Sequence, residues 1–389
     1  MKIALIGTTL FHQGAEFVLA TLARGLAERG HDVTVVLSKY QDDWQKAHPN
    51  WKPFEVGHDV CVVIQPKRRA RESVLSLRHI LKGGDYDVVM CHSKQYTYSL
   101  VFALFAMRNR PMLIHVEHSS GVGTTEDGRI VGPRISLLSF LKNTIRNRVD
   151  AQFTVSNGTA DAISRMTGYP RSRIYTVYNP VIDAVYKKKL VQNARHPWLK
   201  SKALPVVVAA GAFCSFKNHL LLFQAFAKVI QHMPARLIVF GEGGLRTEYE
   251  QAIQRLGISE YVSLPGFTDN LPAELKQADC FVVSSKIESF SVVLVEALAA
   301  GVPVVSTNCP YGPPEILKNG KYGILVENGN TVALADSIVE VLSGHGVIAP
   351  PEAVEPYTID ATVTRYESCL SEVMRRRREQ QCNCRKDGV

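Results

Sequence analysis

Apolar residues along the chain gather in short uninterrupted runs, and the stretches between them carry apolar positions at helical spacing. In the N-terminal half, residues 3–6, 33–37, 60–64, 88–91, 112–116 and 153–155 predict strands, and residues 16–29 predict a helix that stops at Gly30. Strands that are apolar throughout and separated by helices imply a parallel sheet covered on both faces, the doubly wound α/β arrangement. The pattern then restarts. Residues 205–210, 236–240, 262–264, 280–284 and 302–306 read as strands, with helices over 218–232 and 247–256. Between the halves, Tyr178-Asn179-Pro180-Val181 and the Lys-rich stretch Lys187, Lys188, Lys189 lose the periodicity and mark a linker. The expected fold is therefore α/β: two Rossmann-like doubly wound domains in tandem, residues 1–180 and 181–357, facing each other across a cleft. Residues 358–389 form a helix and basic tail, with the helix expected to cross back to the N-terminal domain. Arg375, Arg376, Arg377 and Arg378 read as a frayed, solvated helix end.

A length of 389 residues suits two domains, and 46% hydrophobic with 21% charged residues is the composition of a globular protein. No window reaches the roughly 18 uncharged apolar residues of a membrane span. The opening run ends at Gly7-Thr8-Thr9 without the features of a signal peptide. The eight cysteines have no zinc-site spacing, and Cys61, Cys91 and Cys280 lie in apolar runs where cysteine is a small buried hydrophobe. A reduced, cytoplasmic setting follows. Charge is uneven. Residues 1–180 hold 23 Lys and Arg against 15 Asp and Glu, whereas residues 181–370 hold 16 against 18. A basic N-terminal half suits nucleic acid, an anionic membrane face, or no partner at all. The Lys67-Arg68-Arg69-Ala70-Arg71 patch has no interleaved aromatics, which argues against nucleic acid.

The segment from Ser284 to Val305 carries the chemistry. A strand ends at Ser284, a polar loop follows, and a helix starts near Ser291. Free N–H groups and the positive end of the helix dipole make an anion site suited to a diphosphate. Glu288 stands in the loop and Glu296 on the helix's second turn, so one carboxylate reaches a sugar hydroxyl while the other reaches a ribose. Two glutamates eight apart are weak evidence alone.

Within Glu288-Ser289-Phe290-Ser291-x4-Glu296-Ala297-Leu298-Ala299-x-Gly301-Val302-Pro303, however, the pair resembles the signature of the retaining GT-B glycosyltransferases, specifically family 4. Four further segments match in order: Gly14-Ala15-Glu16 and the helix and strand after it; Gly211-x5-Lys217-Asn218; Gly241-Glu242-Gly243-Gly244; and Pro310-Tyr311-Gly312-Pro313-Pro314-Glu315 through Gly323. The resemblance implies that Glu296 binds the ribose hydroxyls and that Glu288 orients the transferred sugar. Lys217 neutralises the diphosphate together with backbone N–H groups at Phe290, Ser291, Val292 and Val293. Gly211, Glu242 and Gly243 line the donor site, Gly14 lets the first loop approach the donor, and His118 is an active-site histidine near the sugar. Two positions depart from the family: Ala212 stands where an arginine follows the glycine, and Gln13 where a second glycine is common.

The resemblance also implies transfer of a hexose or N-acetylhexosamine from a nucleoside-diphosphate sugar, with uridine as the base, to a glycan or lipid-linked glycan in polysaccharide or lipopolysaccharide assembly. The reaction retains configuration and takes no metal and no other cofactor, and closure of the domains excludes water. The N-terminal half contacts an anionic membrane peripherally, with no nucleic acid involved, and the loop 119–133 faces the acceptor. A sugar-nucleotide epimerase, a non-catalytic nucleotide-sugar-binding partner and a two-Rossmann dehydrogenase are the alternatives. Asp85-Tyr86-Asp87 reads as a surface turn rather than a metal motif, and His92 as a structural histidine or a cleft-lining one.

Overall fold

The structure is a computed structural model that describes every residue except 12–13, 48–52, 68, 106, 108, 119–122, 125–129, 132–143, 145–147 and 387–389. Contacts divide the chain into an N-terminal unit (Met1–Gly121, Gly132–Pro180 and Ile359–Val389) and a C-terminal unit (Val122–Val131 and Val181–Thr358).

The N-terminal unit is built on seven parallel strands: β1 (Lys2–Ile6), β2 (Asp32–Leu37), β3 (Cys61–Ile64), β4 (Val88–Cys91), β5 (Met112–Glu117), β6 (Ala151–Thr154) and β7 (Ile174–Thr176). They lie in the order β3-β2-β1-β4-β5-β6-β7, with Ile3 opposite both Val33 and Val88. Alternate side chains enter different layers. Ile3 and Leu5 pack with Leu19, Leu22 and Leu26 of α1 (Gly14–Glu28). Ala4 and Ile6 pack with Leu77 and Leu81 of α3 (Val74–Gly84) and Leu100 of α4 (Lys94–Ala103). Two short helices complete the unit's framework, α2 (Tyr40–Ala47) before β3 and α5 (Asn157–Thr167) before β7. Fully burying each large apolar side chain contributes about 1.5–3 kcal/mol, which is why runs apolar on both faces stay sandwiched. Cys61 departs from expectation. It is exposed, because β3 is the edge strand and its first residues are not covered.

The C-terminal unit repeats the plan with six parallel strands: β8 (Val206–Ala210), β9 (Arg236–Phe240), β10 (Val262–Gly266), β11 (Cys280–Val283), β12 (Val304–Thr307) and β13 (Ile324–Val326), in the order β10-β9-β8-β11-β12-β13. Its helices include α6 (Ala184–Leu190), α7 (His219–His232), α8 (Arg246–Arg255), α9 (Leu271–Lys276), α10 (Val292–Ala299), α11 (Gly312–Ile316) and α12 (Thr331–Glu340). The Lys187–Lys189 stretch is thus not irregular linker. Asp183 accepts a hydrogen bond from the Tyr186 N–H at 2.7 Å, a side-chain cap that starts α6.

The last helix, α13 (Ile359–Lys386), belongs to the N-terminal unit, where Val363, Tyr366, Leu370 and Val373 join the α1 layer. Gly25 allows the close approach: a Cβ there would lie 2.8 Å from side-chain atoms of Ile359 and Val363. The arginine run is not a frayed end. The helix continues past it, and the guanidinium groups of Arg376 and Arg377 donate to the carbonyls of Ser172 and Arg110, each at 2.8 Å. Among the described residues no helix is long and apolar enough to cross a membrane.

Candidate active site

In the C-terminal sheet the chain order reverses between β8 and β11, and in open α/β sheets ligands bind outside the carboxyl ends of strands at such a point. Lys217 follows β8 and Glu288 follows β11. The structure joins them: the Lys217 ammonium donates to Glu288 Oε1 at 2.5 Å, and the Ser285 hydroxyl donates to the same oxygen at 2.8 Å. Burial alone pulls the ammonium down, but the charge of Glu288 and its hydrogen bond outweigh it, so Lys217 sits above its ordinary range. Backbone bonds knit the loops together. The Lys286 N–H donates to Phe216 O at 2.8 Å, and the Gly312 N–H to Glu288 O at 2.8 Å. Gly312 has no alternative here, because a Cβ would lie 1.9 Å from Phe290 O.

Helix α10 begins shortly after Glu288 in the chain. Ser291 precedes it in a left-handed conformation, φ 103°, with its hydroxyl buried and without a hydrogen-bond partner among the described residues. Val292 and Val293 supply the first helical N–H groups. Phe290 is buried edge-on against Tyr357. Glu296, on the second turn, has its carboxyl pushed up to about 7 by burial, against the pull of Lys189 and with the push of Asp183. The Tyr186 hydroxyl donates to Glu296 O at 2.7 Å, which ties α6 to this helix.

Gly211 lies beside the Lys217 side chain, and Gly241 packs its α-carbon on Gly211 O, where a Cβ would lie 1.9 Å away. Gly243 lies against the Phe213 backbone in the same way. Glu242 is not a free acid: Arg246 donates to it at 2.8 Å while lying over the Phe213 ring, and that hydrogen bond holds the carboxyl below its usual range. Ala212 contributes no charge, so Lys217 stands without the second cation that the family pattern has there.

In the N-terminal sheet the order reverses between β1 and β4. Gly14 opens α1 and is exposed; Glu16, in the same first turn, has its carboxyl pushed up to about 7 by burial. His118 follows β5 directly and His92 follows β4, and the two imidazoles meet. His92 Nδ1 and His118 Nε2 are 2.8 Å apart, with ring centroids at 5.0 Å. Burial lowers His118 to about 4, with Glu117 opposing and His115 adding to the drop. Nearby, Glu117 takes a salt bridge from Lys94 at 3.1 Å. Gln13 and most of the loop 119–133 lie outside the described residues; in that loop Gly123–Thr124 pairs with Ile130–Val131. Asp85-Tyr86-Asp87 is a turn, with Asp85 capping α3 at φ 48° and Asp87 accepting from the Lys2 N–H at 2.8 Å.

Two family models match consecutive parts of the chain, Glycosyltransferase Family 4 over residues 12–184 and Glycosyl transferases group 1 over residues 204–344. The chain belongs to glycosyltransferase family 4. The enzyme is 26% identical over 381 residues to N-acetyl-alpha-D-glucosaminyl L-malate synthase of Bacillus anthracis, covering 95% of this chain and 97% of its relative. Over 204 residues it is 28% identical to a Campylobacter jejuni 4-alpha-N-acetylgalactosaminyltransferase acting on a diphospho-undecaprenol acceptor, which covers 52% of this chain and 53% of that one. Among solved structures, HepE of Anabaena in complex with UDP and glucose superposes with a TM-score of 0.72 at 19% identity, covering 96% of this chain and all of that one. This likeness establishes the GT-B fold of the glycosyltransferase. What the motifs did not reveal is that His92 meets His118 and that Tyr186 meets Glu296.

Proposed function

We propose that the enzyme moves a hexose or N-acetylhexosamine from a UDP-sugar to an acceptor hydroxyl with retention at the anomeric carbon. The observation that carries this reading is the Lys217–Glu288 pair lying before the first turn of α10 at the reversal point of its sheet. Lys217 and the N–H groups of Val292 and Val293 neutralise the diphosphate, whose charge grows as the glycosidic bond breaks. Glu288 accepts hydroxyls of the transferred sugar, Glu296 accepts the ribose hydroxyls, and His118 contacts the sugar. The departing phosphate oxygen takes the acceptor's proton, so no protein nucleophile and no metal takes part, and turnover survives EDTA.

The relatives guide the substrates to try. The nearly full-length likeness to an N-acetyl-alpha-D-glucosaminyl L-malate synthase makes UDP-N-acetylglucosamine the first donor and L-malate the first soluble acceptor to try. A lipid-linked glycan is the acceptor class we favour, on the likeness to the undecaprenol-linked transferase and on the basic N-terminal unit, which suits an anionic membrane face. A thermal-shift panel tests the donor site: UDP-glucose, UDP-galactose, UDP-N-acetylglucosamine and GDP-mannose, each alone. A ligand at 100 times its Kd adds about 2.7 kcal/mol of stability, a rise of several degrees. Stabilisation by a UDP-sugar and not by GDP-mannose supports the reading. No stabilisation by any nucleotide overturns the donor site.

A further inference from the structure

The fold brings His92 onto His118, a residue of the motif set. It is the first residue after β4 and is anchored there by its own N–H, which donates to Ile6 O at 2.9 Å across the reversal point. From that position its ring lies 27° from the plane of His118, with Nδ1 2.8 Å from His118 Nε2. The opposite nitrogen, His92 Nε2, is buried without a hydrogen-bond partner among the described residues. A buried imidazole nitrogen without a partner, on a ring whose other nitrogen meets a second imidazole, calls for a reason beyond filling space.

We propose that His92 is the positioning residue of His118: it holds the ring's plane and, through one shared hydrogen, sets what His118 Nδ1 presents to a ligand. The chemistry allows two arrangements. If His118 Nε2–H donates to His92 Nδ1, then His118 Nδ1 is a lone pair and His92 Nε2 carries a hydrogen. If His92 Nδ1–H donates instead, His118 Nδ1 carries the hydrogen and His92 Nε2 is the lone pair. The two remaining nitrogens are therefore always complementary, one donor and one acceptor. Both rings must be neutral for this. Burial, then His118 and His115, hold His92 well below the ordinary imidazole range, and His118 lies at about 4. The titratable groups around the pair are Cys91 beside His92 in the chain, His115 and Glu117 on β5, and Lys94, which pairs with Glu117.

The inference rests on the reading of His118 as a sugar contact, so the experiment separates the two. UDP release from UDP-N-acetylglucosamine with water as acceptor is measured for His118→Ala, His92→Phe, His92→Asn and the double variant His92→Phe/His118→Ala. Asparagine places an amide near the Nδ1 position, whereas phenylalanine keeps the ring without a hydrogen bond. We expect a loss of about 100-fold in kcat for His118→Ala and about tenfold for His92→Phe. His92→Asn recovers to within about threefold, and the double variant is no worse than His118→Ala alone. A further tenfold loss in the double variant, or full activity in His92→Phe, overturns the inference. Full activity in His118→Ala overturns the sugar-contact reading instead. In that event the side-chain ¹⁵N shifts of His118 still decide: one neutral tautomer at pH 6 in the wild type and His92→Asn, a mixture in His92→Phe. An unchanged tautomer in His92→Phe sinks the inference on its own.

Discussion

The two units share one plan, a parallel sheet whose chain order reverses near its middle, yet they fill the crevice at the reversal with opposite electrostatics. The C-terminal unit places an ammonium against a carboxylate beside a helix N-terminus. The N-terminal unit places two neutral imidazoles in contact, with the Lys94–Glu117 salt bridge on residues close to them in the chain. A site that meets a leaving group of growing negative charge gains from a fixed cation. A site that meets hydroxyls gains from groups that both donate and accept and that cost little to desolvate when neutral. In both units these side chains stand in loops after the strands, apart from Glu117 at the end of β5 and Lys94 at the start of α4.

The comparison predicts its largest break at Lys217. Lys217→Ala removes the ammonium that pairs with Glu288 and leaves that mostly buried carboxylate with the Ser285 hydroxyl but without its cation. We expect a loss of about 10²–10³ in kcat, the range seen when one charge-stabilising donor is removed. Glu288→Ala should lose a similar factor. Neither change should alter the His118 tautomer, and a shift there would mean that the two sites are not separable. If Lys217→Ala retains more than about a third of wild-type turnover, the phosphate role of this residue is wrong.

Gly312→Ala comes next and acts on stability. A Cβ placed 1.9 Å from Phe290 O forces the loop after β12 away from the loop after β11, and the bond from the Gly312 N–H to Glu288 O goes with it. A cost of about 3 kcal/mol is reasonable for forced backbone strain, or several degrees in Tm. An unchanged Tm would mean that these loops do not close as described.

How much of this was legible follows from range. Each long strand announced itself because buried parallel strands are apolar throughout, and residues 88–91 and 236–240 were located to the residue. Ile174–Thr176 and Ile324–Val326 were missed as strands because three residues flanked by arginine, serine or glycine carry no period. The arginine run of α13 was misread because its acceptors, the carbonyls of Arg110 and Ser172, lie more than two hundred residues upstream. The site divided along the same line. Motif residues follow strands and were found by spacing, whereas His92 meets His118, Tyr186 meets Glu296 and Arg246 meets Phe213 only once the sheets assemble.

Among the described residues, one glutamate in each unit has a carboxyl that burial raises from 4.5 to about 7: Glu16 and Glu296. The sign follows from proton counting. Between pH 4.5 and about 7 the folded state keeps a proton that the unfolded chain releases, so each residue lowers stability as pH rises through that window. Glu16→Gln and Glu296→Gln should each flatten the Tm–pH curve, gaining on the wild type up to about pH 7 and levelling beyond. Only Glu296→Gln should also reduce the Tm rise caused by a UDP-sugar. A gain independent of pH would mean that the carboxyl is not held neutral.

The smallest effect tests whether α13 is docked at its basic end. Arg377 donates to Arg110 O and is mostly buried, whereas Arg378 is exposed. Arg377→Ala should cost about 1 kcal/mol, the value of one hydrogen bond, and lower Tm by roughly 3 °C. Arg378→Ala should fall within about 0.5 kcal/mol of the wild type, as surface changes do. Because α13 belongs to the N-terminal unit, the loss in Arg377→Ala should leave the Tm rise on adding a UDP-sugar unchanged. Equal small losses in both variants would restore the frayed end that the sequence suggested. A loss of donor-induced stabilisation in Arg377→Ala would show instead that the helix influences the C-terminal unit, and the division of labour between the two crevices would fail.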